Sequence, residues 1–62
     1  MRFADKVKTV RAKLLVSQKE LAKELGVSYV TVSRWENGLI NPQFLTVQKF
    51  QLYCEKKGIK FE

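Results

Sequence analysis

The chain has 62 residues, room for one domain (1–62), and a chain this short buries only about 60% of the surface that its unfolded form exposes. Hydrophobic residues make up 45% and charged ones 29%, a globular balance rather than a disordered one. Twelve Lys and Arg against six Asp and Glu leave a net charge of +6, while one Cys and no His exclude an internal disulfide, a zinc-ligand set and a Cys/His nucleophile pair.

Phe3, Val7, Val10 and Leu14 follow steps of four, three and four, which predicts a first amphipathic helix with these residues on one stripe. Lys6, Lys8, Arg11 and Lys13 take its remaining positions, where a solvated face is the ordinary role. Ser17 then opens a capping box: its hydroxyl can accept the Glu20 amide while the Glu20 carboxylate reaches back to the Ser17 amide. A second helix is predicted from there, with Leu21, Ala22 and Leu25 inward and Lys19, Lys23 and Glu24 in water.

Gly26 falls just past that helix, where the left-handed backbone suits glycine. Val27 can fold back onto the core, and Ser28 is placed to cap a third helix. Steps of 100° put Tyr29, Val30, Ser33 and Arg34 on one side of it and Thr31, Val32 and Trp35 on the other. Trp35 shares the phase of Val32, so it is expected in the core and not as a stacking platform. Asn37-Gly38 supplies a stop, and Leu39-Ile40-Asn41 links to Pro42.

Pro42 suits the first turn of a fourth helix, predicted to lay Phe44, Val47, Phe50, Gln51 and Cys54 along one face. Cys54 is expected as a small buried apolar residue. Lys56-Lys57-Gly58 ends this helix, and the tail Ile59-Lys60-Phe61-Glu62 is too short to make a sheet alone. Leu45 and Leu52 fall opposite the Phe44, Val47, Phe50 stripe and give the helix a second apolar face. A self-association patch of Leu39, Leu45, Leu52 and Phe61 is the expectation that follows; Ile59 and Phe61 have capping the core as an alternative place.

A helix held across another by a short glycine-containing turn presents its N-terminal residues outward and fits the ~12 Å major groove of DNA. Gln18 with Leu21-Ala22, then Gly26-Val27-Ser28, then Thr31-Val32-Ser33-Arg34-Trp35-Glu36-Asn37-Gly38 resembles the helix-turn-helix of the Cro and lambda-repressor-like family over about Val7 to Phe50. The resemblance implies an all-α bundle of four or five helices, with Leu21 to Glu36 as the reading unit. It also implies a base-contacting face beginning at Tyr29 and Val30, a phosphate contact from Gln18, and an ion pair between Arg11 and Glu36.

Physical chemistry assigns finer roles. The Arg34 fork matches O6 and N7 of guanine, or grips a phosphate. Val30 on an exposed face suits a thymine methyl, with a partly covered core edge as the alternative. Ser33 can bond a base edge or a phosphate. Gln18 at a helix N-terminus favours a phosphate, and Ser28 and Asn37 can clamp phosphates or simply cap.

The function expected is a sequence-specific, repressor-like regulator of double-stranded DNA, acting as a homodimer at least on DNA. The alternative is a protein-interaction module, antitoxin-like, that keeps the same scaffold and binds a partner through Leu39, Leu45 and Leu52. Charge-driven binding to RNA or lipid fits less well, because the exposed face of the third helix is mixed and not uniformly basic. No apolar run approaches the ~20 residues that cross a bilayer, and the start from Met1 to Lys6 lacks the apolar core of a signal peptide, so a cytoplasmic chain is expected. Nothing in the residues suggests an enzyme, a cofactor, a metal or a small-molecule ligand.

Overall fold

The computed structural model describes residues 2–61. Met1 and Glu62, the outermost residues of the expected start and tail, lie outside the described residues. The chain forms α1 (Phe3–Leu14), α2 (Gln18–Leu25), α3 (Tyr29–Glu36) and α4 (Phe44–Lys56), and no strand occurs among the described residues. Of the four or five helices expected, four are present. Ile59 is buried and Phe61 stacks on Phe50 with ring centroids 6.4 Å apart, so the tail covers part of the core.

Each helix begins and ends where its local backbone chemistry dictates. The Ser17 hydroxyl accepts the Glu20 N–H at 3.0 Å while the Ser17 N–H donates to Glu20 Oε1 at 3.2 Å, completing the capping box of α2. Ser28 caps α3 by accepting the Thr31 N–H at 3.1 Å.

All four helices stop in the same way. A residue in the left-handed region follows the last turn, at Leu15, Gly26, Gly38 and Gly58. The N–H of the next residue then donates back into the helix: Val16 to Arg11, Val27 to Ala22, Leu39 to Arg34 and Ile59 to Cys54. This is the Schellman arrangement, in which an apolar residue usually folds onto the helix it ends. Val16 and Val27 pack on the core and Ile59 is buried, but Leu39 stays 70% exposed.

The core joins Val7 and Val10 of α1, Leu21, Ala22 and Leu25 of α2, Val32 and Trp35 of α3, and Phe50, Tyr53 and Cys54 of α4. Trp35 is inside, as its phase requires, and Phe3 meets it edge-on at 5.3 Å while meeting Phe50 at 5.1 Å. Burial of Cys54 pushes its thiol pKa up, as befits a thiol packed among apolar side chains.

Helix α4 departs from expectation in three respects. Pro42 lies two residues before the first helical residue, and Gln43 is the N-cap. Phe44 is 74% exposed and Gln51 is exposed, so neither belongs to the inner face. Tyr53 is buried in their stead. Successive steps of three residues drift by 60° each on a helix of 3.6 residues per turn, so Phe44 ends 120° from Phe50.

Candidate nucleic-acid interface

Helix α3 packs against both α1 and α2, and its position is fixed from three directions. Val32 and Trp35 anchor it in the core. The Gly26 turn sets its angle to α2: with φ at +72° and nothing within 4 Å of an added Cβ, glycine is required there by backbone conformation and not by crowding.

The third constraint is polar. Glu36, at the end of α3 and only 7% exposed, accepts two hydrogen bonds from the Arg11 guanidinium, through Nε and through Nη2, the latter at 2.8 Å. Gln18 Nε2 donates to Glu36 Oε1 at 3.0 Å. One carboxylate thus ties α1, the start of α2 and the end of α3 together. The Arg11 hydrogen bonds hold the Glu36 carboxyl below its ordinary pKa of 4.5 against the opposing effect of burial, with Gln18 and Lys8 assisting. The same pairing raises the pKa of Arg11.

With its inner face fixed, α3 leaves Tyr29, Val30 and Arg34 exposed and Ser33 half-exposed, so the four expected base-facing residues do share one side. Val30 is 48% exposed. Arg34 forms no ion pair among the described residues. Its fork is therefore available to a ligand.

The expected phosphate-contacting residues divide. Gln18 is half-buried and already spends one amide N–H on Glu36, so it links the interface to the internal ion pair; its second N–H finds no acceptor among the described residues. Ser28 is exposed, with its hydroxyl 2.8 Å from that of Thr31. Asn37 is exposed and its Nδ2 donates to the Ser33 carbonyl at 2.9 Å.

Two further residues reach this side without any signal in the sequence. Lys19 Nζ lies 5.7 Å from the centroid of the Tyr29 ring, a cation–π contact that joins the first turns of α2 and α3. The Arg2 guanidinium approaches the α-carbon side of Gly38, 4.0 Å from where a Cβ would stand. Both contacts join segments far apart in sequence, so periodicity does not expose them.

The expected self-association residues also divide. Leu39, Leu45 and Leu52 are exposed, joined by Ile40 and Phe44. Phe61 takes its alternative place, stacked on Phe50 with Lys6 Nζ 5.5 Å from its ring centroid. Lys6 is accordingly half-buried over an aromatic ring, since a lysine stem covers apolar surface while its charge stays wet. No group of acidic, Cys or His side chains that could hold a metal occurs among the described residues. No helix among them is long and apolar enough to cross a membrane.

A protein-family model described as helix-turn-helix matches residues 7–58. That span takes in the greater part of α1 and the whole of α2, α3 and α4. No curated protein and no solved structure matches the chain.

Proposed function

The chain belongs to the lambda-repressor-like helix-turn-helix family, a family of DNA-binding regulators, and we propose that it is a repressor-like, sequence-specific regulator in which residues 1–62 serve as one reading domain. Helix α3 lies in the major groove, where Arg34 pairs with guanine and Val30 meets a thymine methyl. Tyr29 and Ser33 complete the base-facing side. The observation that carries this reading is the exposed pair Val30 and Arg34 on a helix whose opposite face is pinned by Trp35 and by the Arg11–Glu36 pair. Both side chains are exposed on that face, and both suit contact with base edges.

Phosphates are held on both flanks, by Gln18 and Ser28 at the starts of α2 and α3, and by Asn37 with Arg2 beyond the end of α3. Backbone N–H groups at helix starts favour anions, and these contacts fix register while the α3 face reads sequence.

The regulator acts as a symmetric dimer on DNA. Leu39 supports this, because it is the one apolar residue after a helix stop that remains uncovered, and Ile40, Phe44 and Leu45 are exposed beside it in sequence. A second copy supplies the cover that Val16, Val27 and Ile59 find within the chain. The body measures 26 Å along its longest axis, a size suited to placing two copies on half-sites about 34 Å apart.

Selection of preferred sites from random duplex DNA tests the proposal. A two-fold symmetric enriched site supports both base reading and the dimer. Absence of enrichment, with binding that disappears uniformly as salt rises, overturns the sequence-specific reading.

A further inference from the structure

The first turn of α2 holds α3 at both of its ends. Gln18 Nε2 donates to Oε1 of Glu36, the last residue of α3, and Lys19 Nζ lies 5.7 Å from the ring centroid of Tyr29, the first. The Gln18 bond reaches a buried carboxylate and belongs to the fold. The Lys19 contact is of another kind: Lys19 is exposed and Tyr29 is 47% exposed, so neither fills the core.

Lys19 also stands where a cation serves its helix poorly. Unpaired backbone N–H groups give the start of a helix a partial positive charge, which favours an acidic side chain and opposes a basic one. A carboxylate three or four positions away would relieve the conflict, but those positions around Lys19 hold Leu15, Val16, Ala22 and Lys23. Glu20, next to it, closes the capping box with Ser17. Lys19 forms no ion pair among the described residues. What it meets is the Tyr29 ring, whose negative face attracts a cation.

We propose that Lys19 is a positioning residue for base reading: its ammonium holds the Tyr29 ring in one orientation on the exposed side of α3, so that the ring meets a base edge already set. The inference rests on the reading of α3 as the DNA-contacting helix. A half-exposed tyrosine at a helix start is otherwise free to change rotamer, and fixing it on binding weakens the complex. A ring fixed beforehand avoids that loss. The contact strengthens on DNA, because a cation–π pair gains as water is excluded from it, and an ammonium with three N–H donors can face a phosphate while lying against the ring. A lysine that only grips a phosphate adds affinity to every sequence alike. One that orients Tyr29 adds discrimination, and only while the ring is present.

The test measures discrimination, the ratio of Kd on a shuffled duplex to Kd on the selected one, for the full chain, Lys19→Met, Tyr29→Leu and the double variant. Lys19→Met keeps the apolar stem and removes the charge, and the ratio cancels the general loss of attraction to DNA. Alone it should lower discrimination about fivefold, the size of an exposed cation–π contact. In the Tyr29→Leu background it should lower it no further. Lys19→Arg, which keeps a cation against the ring, should discriminate as the parent does. In the free chain, the Lys19 ε-methylene proton signal should lie upfield under the ring current of Tyr29 and return to its ordinary position in Tyr29→Leu. The inference is overturned if Lys19→Met leaves discrimination unchanged, if it lowers it equally with and without Tyr29, if Lys19→Arg behaves as Lys19→Met, or if Tyr29→Leu does not move the ε-methylene signal. A parent with no preferred site overturns the DNA reading and this inference together, whereas a discriminating parent with independent losses overturns this inference alone.

Discussion

Residue by residue, the charged side chains divide into those that serve the fold and those left for a ligand. Arg11 and Glu36 serve the fold. Arg11→Ala leaves a buried carboxylate with only Gln18 for company, and because Arg11 is itself partly in water the loss should be about 2–3 kcal/mol, below that of a fully buried pair. Chemical denaturation at neutral pH measures it. The Glu36 carboxyl titrates below 4.5 in the folded chain, so its contribution is complete above that pH and lost as the pH falls through the folded value. Glu36→Gln should lower stability at neutral pH and flatten the acid limb of the stability curve; an unchanged limb would mean that Glu36 does not carry it. The pairing of Arg11 with Glu36 spans 25 positions, and only family resemblance brought the two together in the sequence. Gln18 was legible as a helix-start residue, but its bond to Glu36 depends on how three helices meet.

At the scale of elements, helix boundaries were the most legible part of the structure, because capping is local chemistry written within a few residues. The Ser17–Glu20 box, the Ser28 cap and the Gly26 stop all occur as the sequence predicts. The exception is the stop of α1, where Leu15 adopts a φ of 57° without being glycine. A left-handed conformation costs a residue with a Cβ about 1–2 kcal/mol, and Leu15, being exposed, has no packing to lose. Leu15→Gly should therefore stabilise the chain by about 1 kcal/mol, offset partly by the greater freedom of glycine when unfolded. The change corresponds to several degrees in a thermal melt of a domain this small. A fall in melting temperature would show that Leu15 makes contacts worth more than its strain. Helix α4 was the least legible element. Phe44, Leu45, Val47, Phe50 and Leu52 spread apolar character around its circumference, so periodicity chose an inner face that wrongly took in Phe44 and Gln51 and missed Tyr53. Packing against Phe3 and α2 selects Phe50, Tyr53 and Cys54.

Across the whole molecule a net charge of +6 draws any polyanion, and in the proposed complex specificity comes from the few uncharged contacts of α3 joined by Arg34. The same charge makes affinity fall steeply with salt, by a slope of about −0.9 per phosphate neutralised. The proposed dimer rests on the uncovered Leu39. Leu39→Glu with Leu45→Glu should hold the protein monomeric in sedimentation and reduce affinity for a two-half-site duplex while leaving a single half-site almost unaffected. Equal losses on both duplexes would place those leucines outside any interface between copies. The central claim is that Arg34 reads a base and does not merely grip the backbone. The most direct measurement compares the parent and Arg34→Ala on a selected duplex and on a shuffled one, from roughly 50 to 200 mM salt. The account predicts a loss of about 1–3 kcal/mol on the selected duplex, with almost none on the shuffled one and a nearly unchanged salt slope. An equal loss on both duplexes, with the slope reduced by about one, would contradict it.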